Sequence, residues 1–420
     1  MWGRLRHATA TANRAGGGLW LDVVLYAASA LFAWWTVTSS TLAPHRAWGG
    51  VAAVGYAAAT FVVLTQCAAR TAGPRSLRRW WGAGARTVLV VTAWTATALL
   101  PLVIQAVQRA GGRADRAQEE VLVIEDGGRR LLETGSPYLG RAAIAALAAD
   151  DRLLAYMPYQ PGMAVFGIPR ALDPSSAWWS DARVWFALVS GVCLALALIL
   201  LRRAGVPASP LIRALQVATV MPVCALTLAT GGNDIAVLAL CLLALALAAT
   251  HRLGWAGLAV GAAAALKLFA WPVAVVLGVY AITRTAGYRY AAGALGVPIL
   301  TALPVLVIGP SAMIENVLAF PFGRGLVISP AASPLPGHLI ATSLRGGSAV
   351  ATVLLILAGA AVAVMAVRRP PRTAAGAARL AGCGLLAAFL LLPATRFGYL
   401  LYPAVLLVWA AARRVPEGTD

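Results

Sequence analysis

Charge is scarce in this chain: Asp, Glu, Lys and Arg make up 12% of its 420 residues, against about 25% in a water-soluble domain. Apolar side chains take 60%, and mean hydropathy is +0.78. That balance excludes a soluble globular protein and indicates an integral membrane protein. Acids are rarer than bases, 15 against 34, for a formal charge of +19. Nucleic acid is nevertheless excluded as a partner, because binding it needs a soluble basic face. Lysine is nearly absent: 33 of the 34 cations are Arg, and the single Lys is Lys267. Together with the Ala, Gly and Pro load this suits a GC-rich genome, so abundant Arg does not by itself signal phosphate chemistry.

Cys67, Cys193, Cys224, Cys241 and Cys383 all sit in apolar runs, without pairing or metal-ligand spacing. That excludes a disulfide framework or zinc knuckle and predicts buried free thiols. Familiar catalytic motifs are missing as well: no G-x-x-x-x-G-K-[ST], no H-E-x-x-H and no G-x-S-x-G. Asp150-Asp151 lies among Ala and Leu and precedes Arg152, so it reads as a solvated helix end and no metal site is expected.

Long apolar runs are what the chain has. A membrane-crossing helix needs about 20 apolar residues. Segments 19–40, 47–69, 87–107, 182–203, 211–230, 232–250, 290–308, 347–368 and 376–395 reach that length. Lys267 and Pro272 interrupt 255–283, which reads as two short helices, 255–267 and 268–283; 397–412 is also short. The expected fold is therefore an all-α polytopic membrane protein with about 12 transmembrane helices and both termini on one side. Arg4, Arg6 and Arg14 before the run from Leu19 resemble a signal sequence, but no clear cleavage site follows, so a retained first helix is expected.

With the termini cytoplasmic, inner loops and tails hold 20 arginines and the outer side 13, while ten of the 15 acids fall between Asp115 and Asp181, outside. Basic, nearly acid-free inner loops follow the positive-inside rule. A multi-pass protein of the cytoplasmic membrane is expected. Two outer loops, 108–181 and 309–346, are too long to be mere connections.

Residues 119–138 read EEVLVIEDGGRRLLETGSPY. Val121, Ile124, Leu131 and Leu132 can share one helical face; Glu125, Asp126, Arg129, Arg130 and Glu133 take the other. Glu125–Arg129, Asp126–Arg130 and Arg129–Glu133 are i,i+4 pairs, worth about 0.2–0.5 kcal/mol each. Such an amphipathic helix would lie on the outer membrane surface and end at Gly135-Ser136-Pro137. A second helix over 141–154 and a rigid aromatic turn, Tyr156-Met157-Pro158-Tyr159-Gln160-Pro161, should follow. Glu119 and Glu120 at the first helix start suit dipole compensation; alternatively, one is a general base at the bilayer surface.

An outer-loop acid, an amphipathic helix and Gly-x-Pro-Tyr resemble glycosyltransferase family 87 of the GT-C superfamily, the polyprenyl-phosphate-mannose-dependent mannosyltransferases. The similarity extends through Tyr156–Arg170, Gly231-Gly232-Asn233-Asp234 and Gly261–Lys267 to the Pro403 region, roughly residues 87–412. Aligning Leu131-Leu132 and Pro137-Tyr138 puts Glu120 on the family's catalytic Asp, with Glu119 beside it. Glu for Asp moves the carboxylate outward by one methylene. The resemblance implies a GT-C-like core over 87–412, preceded by a tail and two additional helices over 1–86 and followed by a cytoplasmic tail, 413–420.

Polar residues in the apolar runs complete the candidate site. Lys267 would cost about 2.5–3.5 kcal/mol at bilayer depth, so it either snorkels to the interface or, as the resemblance implies, holds the donor phosphate. Asn233-Asp234 suits a helix N-cap or a sugar-hydroxyl acceptor at a cavity wall. Arg396 is an interfacial Arg or a phosphate ligand; where the family commonly has His, it keeps the cation without the proton switch. His338, on the second outer loop, is a solvated loop residue or a substrate contact. Tyr138, Tyr156 and Tyr159 join the implied substrate-binding set. Asp22 should cap or pack; His7 and His251 suggest no role.

The resemblance implies inverting transfer of a sugar, mannose in the first instance, from a polyprenyl-phosphate donor to a lipid or glycan acceptor on the extracytoplasmic face. Glu120 would be the base, with Lys267 and Arg396 on the leaving phosphate. Because a monophosphate leaves, no metal or other cofactor is obligatory. Broken helices and a buried Lys also suit a transporter or flippase of lipid-linked sugar, although no repeated half is visible and the acids concentrate on one side.

Overall fold

The computed structural model describes residues 18–72, 79–173 and 175–412. The basic tail with Arg4, Arg6, His7 and Arg14, and the tail 413–420, lie outside the described residues. Among those described the chain is all-helical apart from one isolated parallel bridge, Ala332 with Thr395.

All twelve apolar segments are helical. Among the described residues, seven helices are long and apolar enough to cross a membrane, or eight if Ala208–Thr219 and Pro222–Thr230, bent by 45°, form one span. The bend falls where Pro222 has no N–H to continue the ladder. Asn233–Ala249 is shorter than expected at 17 residues, and Leu253–Leu266, Leu268–Thr283 and Phe397–Ala411 are short too. Only 11% of the apolar window of Gly347–Arg368 is buried, so most of its surface needs a hydrocarbon solvent. This is a polytopic α-helical membrane protein. Of the thiols, Cys193, Cys224 and Cys241 are buried; contrary to expectation, Cys67 is partly exposed and Cys383 exposed.

The chain divides into two units: Met1–Ala117 with Pro207–Thr230, and Gln118–Val206 with Gly231–Asp420. In the first, Asp22 is 1% exposed. It accepts from Arg86 Nε at 2.7 Å, Arg213 Nη2 at 3.0 Å and Gln216 Nε2 at 3.0 Å. One carboxylate thereby ties Leu19–Ser39 to Ala83–Trp94 and Ala208–Thr219, which is the packing role the sequence suggested.

In the second unit, Leu253–Leu266 and Gly287–Ile308 pack backbone to backbone. A Cβ on Gly261 would lie 2.3 Å from Gly293 O, and one on Gly293 only 2.4 Å from Leu258 N. Small residues permit this approach in membranes, where apolar bulk gives no net attraction. The first helix stops at Lys267, which turns extended at φ −153°. Pro272 then opens the descending helix Trp271–Thr283, a favoured place for proline.

The amphipathic helix forms over Glu119–Thr134, ended by Gly135 at φ 75°. Its inward face differs from the expected one. Glu125 is buried, accepts from Ala182 N at 3.1 Å and faces Arg170 at 3.7 Å. It satisfies an orphan N–H at the start of Ala182–Arg203, where an acid is favourable. Leu132 is exposed instead. The expected Glu125–Arg129 pair is replaced by Arg129–Asp126, alongside Arg129–Glu133 and Arg130–Asp126. The single helix expected over 141–154 is two short ones, Arg141–Ala145 and Arg152–Ala155. Arg152 folds back to donate to Leu147 O and Ala145 O at 3.1 and 2.9 Å, capping the first with a cation.

Candidate active site

Glu119 and Glu120 occupy the first turn of Glu119–Thr134, after Gln118 at its N-cap. Close approach fixes that helix. A Cβ on Gly128 would lie 2.3 Å from Gly167 C, and one on Gly167 only 2.1 Å from Ile124 O. The helix is therefore seated directly on the 3-10 segment Pro161–Gly167. The aromatic turn before that segment is tied down as well: Tyr138 Oη donates to Tyr159 O at 2.6 Å, and Gln160 N to Leu266 O at 3.1 Å. This last bond brings the turn beside the broken end of Leu253–Leu266.

Lys267 at that end does not snorkel. It is 7% exposed, and its Nζ lies 2.6 Å from Asp234 Oδ1, which also accepts from Tyr402 Oη at 2.8 Å. Its ammonium sits 5.3, 5.0 and 5.2 Å from the ring centroids of Tyr159, Phe269 and Tyr399. Aromatic faces attract a cation there, and the carboxylate offsets much of its desolvation.

Arg396 precedes the turn Phe397–Leu400. Its Nη1 donates to Glu120 Oε1, a contact between residues 276 apart in sequence. Burial disfavours the Arg396 charge, yet the Glu120 carboxylate, with the Tyr399 and Tyr159 oxygens behind it, more than offsets this and holds the guanidinium above its usual pKa. Thr395 beside it pairs with loop 309–346: Ser333 N donates to Thr395 O and Thr395 N to Ala331 O, both at 2.9 Å.

These elements surround a cavity of ≈ 150 Å³. Glu119, Glu120, Tyr156, Tyr159, Lys267 and Arg396 all line it. Two carboxylates and two cations thus share one largely apolar pocket, suited to a substrate that carries an anion and offers a proton.

The glycosyltransferase family 87 model matches residues 156–393, more than half of the chain. The chain belongs to glycosyltransferase family 87. No curated protein and no solved structure matches it. Family 87 membership makes it a membrane glycosyltransferase. The matched span holds Tyr156, Tyr159, Asn233, Asp234, Lys267 and His338, whereas Glu119, Glu120, Tyr138 and Arg396 flank it.

Four expected site residues of this family 87 glycosyltransferase do not line the cavity. Asp234 stands behind Lys267 as its counter-ion, and its helix is N-capped by Gly232, not by Asn233 or Asp234. Asn233 is 3% exposed. Tyr138 braces the aromatic turn, and His338 Nδ1 lies 2.8 Å from Pro393 O, behind the wall formed by Leu392 and Ala394. Missing from the sequence reading were Phe269, Tyr399 and Phe320 on the cavity wall and Glu315 behind it. Glu315 had one signal: it is among the few acids outside the 115–181 cluster.

Proposed function

We propose that this protein transfers a hexose, mannose in the leading case, from a polyprenyl-phosphate donor to a lipid or glycan acceptor on the extracytoplasmic face. The observation that carries the reading is the shared cavity, in which Glu119 and Glu120 meet Lys267 and Arg396. The acceptor hydroxyl attacks the anomeric carbon as the bond from that carbon to the phosphate oxygen breaks. Glu120 takes the hydroxyl proton, and polyprenyl phosphate leaves with one more negative charge than the donor carried. Fixed cations help most where charge develops, and Arg396 and Lys267 are available for it. A single displacement inverts the anomeric centre. With a monophosphate leaving, the reaction calls for no obligatory metal.

The Glu120–Arg396 pair adds a condition. A carboxylate occupied by a guanidinium is a poor base, so the donor phosphate must take over Arg396 before Glu120 can accept a proton. Guanidinium suits that exchange, since it binds carboxylate and phosphate with the same planar fork. In this reading all twelve apolar helices are crossings of the GT-C type, the termini are cytoplasmic, and the arginine asymmetry sets that orientation.

Membrane vesicles supplied with labelled polyprenyl-phosphate-mannose test the proposal. Label should appear in a new glycosidic bond and fall by about 10²–10⁴-fold in Glu120→Gln, as expected when a general base is lost. Glu133→Gln, an exposed acid paired with Arg129, should keep the activity. Unchanged transfer in Glu120→Gln would sink the base assignment. Label crossing the membrane without a new bond would favour a flippase.

A further inference from the structure

The second outer loop is fastened to the first by an acid that the proposed chemistry does not use. Glu315 is 7% exposed and lies outside the cavity lining. Arg141 Nη1 donates to both of its carboxylate oxygens, at 3.0 and 3.1 Å, and Tyr156 Oη donates to its Oε1 at 2.7 Å. The same phenol oxygen accepts from Leu326 N at 2.8 Å, so the hydroxyl both donates and accepts and its direction is fixed. Burial pushes the Tyr156 phenol above its usual pKa, which keeps it a donor. Asn316, the next residue, accepts from Met157 N and donates to Leu139 O, each at 2.8 Å. A buried acid is tolerated only when its charge and lone pairs are met, and here both are met by residues of the first loop.

The geometry around Glu315 reaches the cavity through aromatic rings. Glu315–Ala319 is a single π-helical turn, a form frequent at functional sites. It delivers Phe320 onto Tyr156, with ring centroids 4.3 Å apart and planes 13° from parallel. Tyr156, Phe320, Pro321 and Phe322 all line the cavity. At its far end the same loop is stitched to Thr395, next to Arg396. Segment 321–330 is therefore held at both ends, by Glu315 on one side and the Ala332–Thr395 bridge on the other.

We propose that Glu315 is a positioning residue: through Tyr156 and Arg141 it sets the aromatic wall against which the sugar-bearing end of the donor packs. Its effect is on binding, not on proton transfer. The role in catalysis rests on the transferase reading, whereas the clamp itself is testable without it.

Hydrogen exchange on the full-length protein in detergent measures the clamp, using Glu315→Gln and Tyr156→Phe. The second variant keeps the ring in the cavity and deletes only the hydroxyl, so it serves even if the first folds poorly. Exchange across 318–331 should accelerate about tenfold in each variant, and the double variant should fall short of the product of the two effects, because the two residues share one bond. Helix Gly347–Arg368 should not respond. In transfer assays the KM for the polyprenyl-phosphate sugar should rise about tenfold in both, with kcat changed by less than about threefold. Wild-type exchange rates in both variants would overturn the clamp. Faster exchange with a fall in kcat and an unchanged KM would overturn the positioning role. A wild type without transfer activity would defeat the transferase reading while the exchange data still judge the clamp.

Discussion

An ammonium buried beside a single carboxylate makes Lys267 and Asp234 a unit. Neither is tolerable alone in an apolar surrounding, since breaking a buried pair by removing one partner costs about 3–5 kcal/mol. Asp234→Asn should therefore lower the melting temperature of the detergent-purified protein sharply. Lys267→Met combined with Asp234→Asn should regain most of that stability yet transfer no sugar, because the cation at the cavity is gone. A fully stable Asp234→Asn protein would contradict the description of a desolvated pair. The same logic separates stability from function at Glu120. Its partner Arg396 is one-third exposed, so losing that pair should disturb the reaction far more than the fold.

Among the elements, Leu253–Leu266 carries Lys267 at its C-terminal end and packs closely against Gly287–Ile308. Gly261→Ala would drive a methyl into Gly293 O, and overpacking of this kind costs about 1–3 kcal/mol. Thermal melting and transfer activity should fall together. Gly359→Ala is the control: no atom lies within 4 Å of its added Cβ, so alanine's better helix propensity should leave the protein at least as stable. Equal behaviour of the two variants would contradict the close packing.

Several elements were legible in the sequence because their causes are local. Apolar length marked the twelve helical segments, and Lys267 with Pro272 the broken span; the 45° bend at Pro222 was missed, since 211–230 reads as one unbroken run. The inward turn of Glu125 was not legible: its partner, Ala182 N, lies 57 residues away, and pairing with nearby arginines suited an outward face equally well. Nor was the split of 141–155, which depends on Arg152 folding back onto carbonyls of the preceding turn.

Over the whole molecule, scarcity of charge made Lys267 stand out, because an apolar chain keeps few buried charges without a purpose. Glu120 and Arg396 were picked out by the family resemblance instead, and all three line one cavity. Their partners were hidden by distance along the chain. Nothing local announced that Glu120 meets Arg396, that Asp234 serves Lys267 from outside the cavity, or that Tyr138 and His338 brace walls. Glu315 joins the two long loops, 108–181 and 309–346, across 159 residues, and only its isolation from the other acids hinted at a role. Both long loops line the cavity; how the two are joined emerged only from the folded chain.

In the proposed mechanism, Glu120 and the donor phosphate share Arg396. Equilibrium binding of polyprenyl phosphate to the purified wild type, Glu120→Gln and Arg396→Gln tests it most directly. Removing the competing carboxylate should tighten binding about tenfold, or roughly 1.4 kcal/mol, in a protein that no longer transfers sugar. Arg396→Gln should bind at least tenfold more weakly than wild type. Equal affinity of Glu120→Gln and wild type, or undiminished binding by Arg396→Gln, would contradict the account.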